Sequence, residues 1–271
     1  MPVHRRLIPV RLSPAASTGI IVPADRACGF MRQIAVKMRD AFPKPIMPSD
    51  ILPSIEIETA PHPTASVIWL HGLGADGNDF VPVVPELKLP ATLPLRFLFP
   101  HAPVRKVTIN NGMAMRAWYD IAAADLNSRA DIAGVRQSEG ELESLIAREK
   151  SRGIAASRIV LAGFSQGGVI ALHTAIRHQE RLAGVIALST YLVLADRLAD
   201  EAAAANRDLP IFMAHGTADP VVRFEWGDAS HRALVANGYR VDWHAYRMEH
   251  SVCMEEIEAI GAWLVRTLTS M

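Results

Sequence analysis

The stretch "RIVLAGFSQGGVIALH", residues 158–173, decides how the rest of the chain is read. An aliphatic run of strand character stops at Gly163. Ser165 then stands between Gly163 and the pair Gly167–Gly168, and helix formers follow. Gly163-Phe164-Ser165-Gln166-Gly167 fits G-x-S-x-G, a strand-to-helix elbow that presents a hydroxyl. A chain that reverses within about two residues strains the backbone at the serine, and bulky neighbours would collide with the turn. The turn lifts the hydroxyl above the sheet. It also leaves the next amide at a helix N-terminus, where partial positive charge favours an oxyanion. Three fixed positions at about 7% each give roughly 0.09 chance matches in a chain of this length, so the motif alone is weak. The strand-like run before it, the helical run after it and Gly168 at the close helix–strand contact strengthen it.

Working outward, short apolar runs of strand length recur at 66–70, 95–99, 158–164, 183–189, 209–215 and 241–246. Helical patterns lie between them at 131–150, 166–178, 227–237 and 254–268. In the last, Ile257, Ile260, Leu264 and Leu268 share one stripe. Continuous rather than alternating apolar strands, separated by helices, predict an α/β fold: a mostly parallel central sheet with helices on both faces.

A serine hydroxyl needs a base, and the base needs an orienting group. In such sheets ligands gather beyond the carboxyl ends of the strands. Asp219 follows the strand-like "LPIFMAH" and precedes Pro220; His250 follows "VDWHAY" and precedes the last helix. The order Ser165, Asp219, His250 is the one this architecture uses. His244 lies mid-strand, His173 and His178 lie on a helix, and His101 precedes the serine. His215 is read as shaping the turn of Asp219. Asp196 and Asp228 do not follow a convincing strand. Residues 71–80, "HGLGADGNDF", follow an early strand and suit a loop whose amides face a ligand. The oxyanion donors are assigned to the backbone amides of Leu73 and Gln166. The glycine spacing fits neither a dinucleotide fingerprint nor a P-loop. No His-Glu-x-x-His or clustered Cys/His pattern occurs, so neither a metal nor an organic cofactor is expected.

Composition bounds the remaining possibilities. The chain has 271 residues, half of them hydrophobic, enough for one large domain. Lys+Arg and Asp+Glu both total 28, and zero net charge gives no footprint for nucleic acid. The charge is uneven, since residues 1–50 hold eight basic and three acidic groups. Residues 1–54 are read as a basic, proline-containing leader, poorly ordered, and 55–271 as the catalytic domain. Within the leader, 30–42 places Phe30, Ile34, Met38 and Phe42 at four-residue steps, a short basic amphipathic helix, and Met47 is a candidate start. Cys28 and Cys253 lie in unlike contexts, which points to a reducing, cytoplasmic location. The longest apolar stretch, from 182, has 14 residues, short of the ~20 that cross a bilayer. A homodimer is compatible with the sequence.

Five blocks in order, "HGLGADGNDF", "FPHAPVRKVTINNGMAMRAWYDI", "GFSQGG", "HGTADPVV" and "HSVCMEEIEAIGAWL", resemble the carboxylesterase/acyl-protein thioesterase (phospholipase/carboxylesterase) family of α/β-hydrolases. The resemblance covers about 60–268. It implies the α/β-hydrolase fold and places the family's nucleophile, acid and base on Ser165, Asp219 and His250. Its oxyanion donors fall on Leu73 and Gln166. It also implies that Ile109, Met115, Trp118, Tyr191 and Leu192 line an acyl groove. Arg116, Val193 and Arg223 stand where the family commonly has proline, and each is expected to loosen a loop.

The expected function is hydrolysis of carboxylic esters with short- to medium-chain acyl groups, through an acyl-enzyme on Ser165. The substrate is a small-molecule ester or thioester. The first alternative is an acyl-protein thioesterase or lysophospholipase with a longer acyl groove. The alternative of another class is a non-catalytic ligand-binding protein on the same fold.

Overall fold

A computed structural model of the protein describes residues 51–122 and 131–269. The readings made for residues 1–50, including the leader, the helix at 30–42, Met47 and Cys28, lie outside the described residues.

The strands are β1 (Ser54–Glu58), β2 (Ala65–Leu70), β3 (Leu95–Pro100), β4 (Val104–Val107), β5 (Met113–Arg116), β6 (Ile159–Phe164), β7 (Gly184–Leu188), β8 (Ile211–Gly216) and β9 (Val241–Tyr246). The helices are α1 (Val83–Glu86), α2 (Ile132–Ser151), α3 (Gln166–Arg177), α4 (Leu198–Glu201), α5 (Phe224–Ala236) and α6 (Met254–Thr269). Seven strands form one sheet in the order β1-β3-β2-β6-β7-β8-β9. β1 runs antiparallel to β3, and every other neighbouring pair is parallel. This is the mostly parallel sheet of the α/β-hydrolase fold. All six strand-length runs read from the sequence are strands of it. β1, beginning at Ser54 opposite Pro100, went unread, and it starts one residue before the expected domain boundary. Its sequence, SIEIE, alternates and is only half-buried, as an antiparallel edge strand does. The β4–β5 hairpin also escaped detection, because its four-residue strands are largely exposed and carry no buried run.

Side chains alternate across the sheet, so each parallel strand feeds two cores. Ile68, Leu70, Leu161, Val185, Ala187, Ile211 and Met213 face one way and pack with residues of α2, α3 and α5. Val67, Trp69, Phe97, Phe99, Val160, Ala162, Ile186 and Phe212 face the other way, against α6. The α6 stripe read from sequence, Ile257, Ile260, Leu264 and Leu268, is buried in this second core. α2 is also held by a polar tie. The buried carboxylate of Glu149 accepts hydrogen bonds from Ser66 on β2 (2.5 Å), Arg96 on β3 (2.8 Å) and Arg152 (2.9 Å).

The turn from β6 to α3 is packed to contact. A Cβ on Gly163 would lie 2.3 Å from the Gly167 carbonyl oxygen; one on Gly167 would lie 2.5 Å from the carbonyl oxygens of Leu70 and His71. Helix and strand therefore approach closely enough for the elbow only without these side chains. Gly163→Ala is expected to destabilise the protein by roughly 3 kcal/mol, read as a lowered midpoint in denaturant unfolding, because backbone rather than a mobile side chain must move.

Glu256 lies in the first turn of α6 and is buried, and burial pushes its carboxyl up to about 8. The folded state thus holds a neutral acid that the unfolded chain ionises near 4.5. Stability from this group is complete below that unfolded value and is lost as pH rises from there through about 8. Glu256→Gln should flatten the fall in Tm across this range, measured by thermal unfolding at stepped pH.

Candidate active site

Ser165 sits between the end of β6 and the start of α3 with φ +54° and ψ −120°. Its amide donates to the Leu188 carbonyl (2.9 Å), and its carbonyl accepts from the Thr190 hydroxyl (2.7 Å). Both partners lie at the end of the adjacent strand β7, so the sheet itself holds the strained residue. Asp219 lies in the loop after β8, and His250 lies in the loop after β9. The structure brings the three side chains into one hydrogen-bonded line. His250 Nε2 is 3.0 Å from Ser165 Oγ, and His250 Nδ1 is 2.7 Å from Asp219 Oδ2. A carboxylate only accepts, so Nδ1 carries a proton and Nε2 is free to accept from the serine hydroxyl. The other oxygen of Asp219 accepts from the amides of Val221 (2.8 Å) and Val222 (2.9 Å). These bonds fix the carboxylate before any substrate arrives. The His250 ring also packs against Phe164, the residue before the serine, with centroids 4.7 Å apart.

His215 stands behind this line. Its Nε2 donates to the Val222 carbonyl (2.8 Å), and burial pushes its pKa down, which keeps the ring neutral. It shapes the Asp219 turn, as the sequence reading expects. The other histidines pair elsewhere: His244 with Asp242, His173 with Glu139, His178 with Glu143, and His101 with the Gly77 amide.

Leu73 and Gln166, whose amides are assigned to an oxyanion, line a common cavity with Ser165. Neighbouring amides are occupied. Gly74 donates to the Arg116 carbonyl, Ala75 to Gly72, and Ser165 to Leu188. The Leu73 and Gln166 amides have no acceptor among the described residues. The Leu73 loop is held by its own chain of bonds. Buried His71 donates from Nδ1 to the Gly72 carbonyl (2.7 Å) and accepts at Nε2 from the Ala102 amide (3.1 Å). Burial lowers its pKa, consistent with a ring that must accept. Arg116 Nη1 donates to the Ala102 carbonyl (2.8 Å). Arg116 therefore ties the hairpin to the loop between β3 and β4. Arg223 holds φ −55° and ψ 140°, angles proline itself adopts, and its guanidinium lies 5.8 Å from the Trp226 ring centroid. Val193 is buried in the core.

The cavity has a volume of about 240 Å³ and is lined by Leu73, Ile109, Asn110, Tyr119, Ile121, Ser165, Gln166, Tyr191, Val221 and Val222. Of the expected groove residues, Ile109 and Tyr191 line it. Trp118 does not. It is buried in the core beneath the site, where its indole donates to the His71 carbonyl (2.8 Å) and its amide to Gln166 Oε1 (2.8 Å). Leu192 is likewise a core residue. Met115 lies outside the lining, with its sulfur close to the Gly74 backbone and accepting from Asn110 Nδ2. Tyr119, the next residue, lines the cavity in the place expected of Trp118. Val221 and Val222 were present in the block "HGTADPVV", but only folding shows that the Asp219 turn doubles as cavity wall. The Gln166 side chain, also unread, is consumed by the scaffold, since its Nε2 donates to the Tyr119 carbonyl (2.6 Å).

The sequence profile of the phospholipase/carboxylesterase family matches residues 53–268. The chain belongs to this family. It is similar to acyl-protein thioesterase 1 of Yarrowia lipolytica, 41% identical over 218 residues that cover 78% of this chain and 96% of that protein. It is also similar to acyl-protein thioesterase 1 of Neurospora crassa, 40% identical over 225 residues covering 80% and 92%. Among solved structures, SOBER1 of Arabidopsis thaliana superposes with TM-score 0.71 at 30% identity, covering 75% of this chain and all but 1% of that one. The acyl-protein thioesterase 2 of Zea mays gives TM-score 0.68 at 28% identity, covering 79% and 99%. The protein is thus a carboxylesterase-type hydrolase of esters or thioesters, and the reading as a non-catalytic binding protein falls away. Among the described residues, no helix is long and apolar enough to cross a membrane.

Asp219→Asn should leave the turn intact, since the amide oxygen still accepts from Val221 and Val222. It should reverse the tautomer at His250 and lower kcat by roughly 10⁴-fold. Ester turnover, paired with a thermal melt to register an unchanged fold, checks this.

Proposed function

We propose that Ser165, His250 and Asp219 act as nucleophile, base and orienting acid, with the Leu73 and Gln166 amides as the oxyanion hole. Ser165 Oγ attacks the acyl carbon while His250 Nε2 takes its proton. Asp219 steadies the imidazolium. The two amides receive the negative charge that develops on the acyl oxygen, each contributing about 3–4 kcal/mol to the barrier reduction. His250 then returns the proton to the leaving alcohol or thiol. Water, deprotonated by the same ring, releases the acid and restores the hydroxyl.

The observation that carries this reading is the unbroken line Asp219–His250–Ser165, with bonds of 2.7 and 3.0 Å, beside two amides that lack an acceptor among the described residues. The cavity, mostly aliphatic and aromatic, supports an acyl group of short to medium length. A thioester is the second reading, favoured by the two relatives at 40–41% identity, which are acyl-protein thioesterases. We place catalysis in 55–271, taking in Ser54 as the start of β1, and treat the residues before it as a leader. A cytoplasmic location, supported by cysteine usage, belongs to the same reading, and the zero net charge supports a partner other than nucleic acid.

Ser165→Ala should lower kcat for 4-nitrophenyl acetate by on the order of 10⁶-fold relative to the wild type. Unchanged turnover in that variant would overturn the assignment. In a series of oxygen esters and matched thioesters, kcat/KM should peak at short to medium acyl length; a peak on palmitoyl thioesters would favour the long-groove reading instead.

A further inference from the structure

The cavity beside Ser165 is not uniformly apolar. Its lining includes Tyr119 and Tyr191, whose hydroxyls meet at 2.9 Å. Both tyrosines are buried. A pair of phenols brings two hydrogens to one mutual bond, and each hydroxyl has no other partner among the described residues. One O–H is therefore left over, buried, beside a cavity. Leaving such a donor without an acceptor is costly. Burial raises the pKa of both phenols, so they remain donors through the neutral range.

The pair is also rigidly placed relative to the reacting atoms. The Tyr119 carbonyl accepts from the side chain of Gln166, the residue after the serine. Tyr191 follows Thr190, whose hydroxyl donates to the Ser165 carbonyl. Both tyrosines thus lie on backbone bonded directly to the elbow or next to a residue that is. Of the remaining lining, Leu73, Ile109, Ile121, Val221 and Val222 carry aliphatic side chains, and Asn110 is the other amide side chain, its Nδ2 donating to Met115 Sδ (3.2 Å). The amide group of Gln166 is spent on Trp118 and Tyr119. At about 30 Å³ for each water-sized group, the 240 Å³ cavity holds on the order of eight such groups.

We propose that the Tyr119–Tyr191 hydroxyl pair is a specificity element of the acyl cavity, selecting a short acyl group that carries an accepting oxygen, such as a ketone, over a plain alkyl chain of the same length. This rests on the hydrolase reading above and narrows it. The physical basis is asymmetry: an aliphatic pocket scarcely discriminates against an added oxygen, whereas a pocket with a buried donor strongly disfavours a group that cannot pair with it.

The test uses the full chain and 4-nitrophenyl esters in which one ketone is moved along acyl chains of different short lengths. Each ester is compared with its alkyl counterpart. The wild type should prefer the oxo ester at one position or more by at least about 10-fold in kcat/KM. The double variant Tyr119→Phe/Tyr191→Phe should bring that ratio close to one. The ratio is taken within each protein, so a change in overall activity cancels. Alkyl esters preferred by the wild type at every length would overturn the proposal, and so would an oxo preference that persists in the double variant. The acetate ester separates this failure from that of the parent reading. Turnover of acetate lost on Ser165→Ala, with no oxo preference, defeats only the specificity assignment. Absence of acetate turnover in the wild type defeats both.

Discussion

Ser165 holds a backbone conformation, φ +54° and ψ −120°, that costs a residue with a side chain on the order of 1–3 kcal/mol. Its surroundings keep it there. The amide and carbonyl of the serine are both bonded to the end of β7, and the two glycines around it let β6 and α3 close to backbone contact. The strain has a purpose. Any relaxed strand–helix connection would need a longer loop, and the hydroxyl would then lose its fixed height above the sheet. The serine, the Gln166 amide and the start of α3 are positioned by one turn, so the proposed nucleophile and half of the proposed oxyanion hole are a single unit.

The other parts converge on that unit because parallel strands end on the same side. The loops after β2, β6, β8 and β9 contribute Leu73, Ser165, Asp219 and His250 respectively. Each loop is then fixed by a bond that does not involve the reaction. Asp219 is held by two amides of its own turn, and that turn by His215 through the Val222 carbonyl. The Leu73 loop is held through His71, Ala102 and Arg116. Preorganisation of this kind lets the site meet developing charge without reorganising.

Scaffold and pocket are interleaved in the segment 117–121. Trp118 turns into the core and carries the weight of the His71 and Gln166 contacts, while its neighbour Tyr119 faces the cavity. Arg116, just before them, replaces the stiffness of a proline ring with a side-chain bond to another loop. An arginine reaches several ångströms to an acceptor, whereas proline acts only on its own backbone.

Much of this protein is legible without coordinates. The five buried parallel strands β2, β3, β6, β7 and β8 and the elbow glycines leave local marks, because burial on both faces demands continuous apolar runs and a tight turn demands small residues. The order of serine, aspartate and histidine follows from which residues sit just past a strand. Hairpin β4–β5 and edge strand β1 left no such mark, being short and half-exposed. What only the tertiary structure decided is direction. Whether Trp118 or Tyr119 lines the cavity, which amides are already bonded, and that Val221, Val222 and two tyrosines share one cavity all depend on contacts between segments far apart in the chain. Local sequence constrains the backbone, but the neighbour a side chain meets is set by the packing of the whole domain.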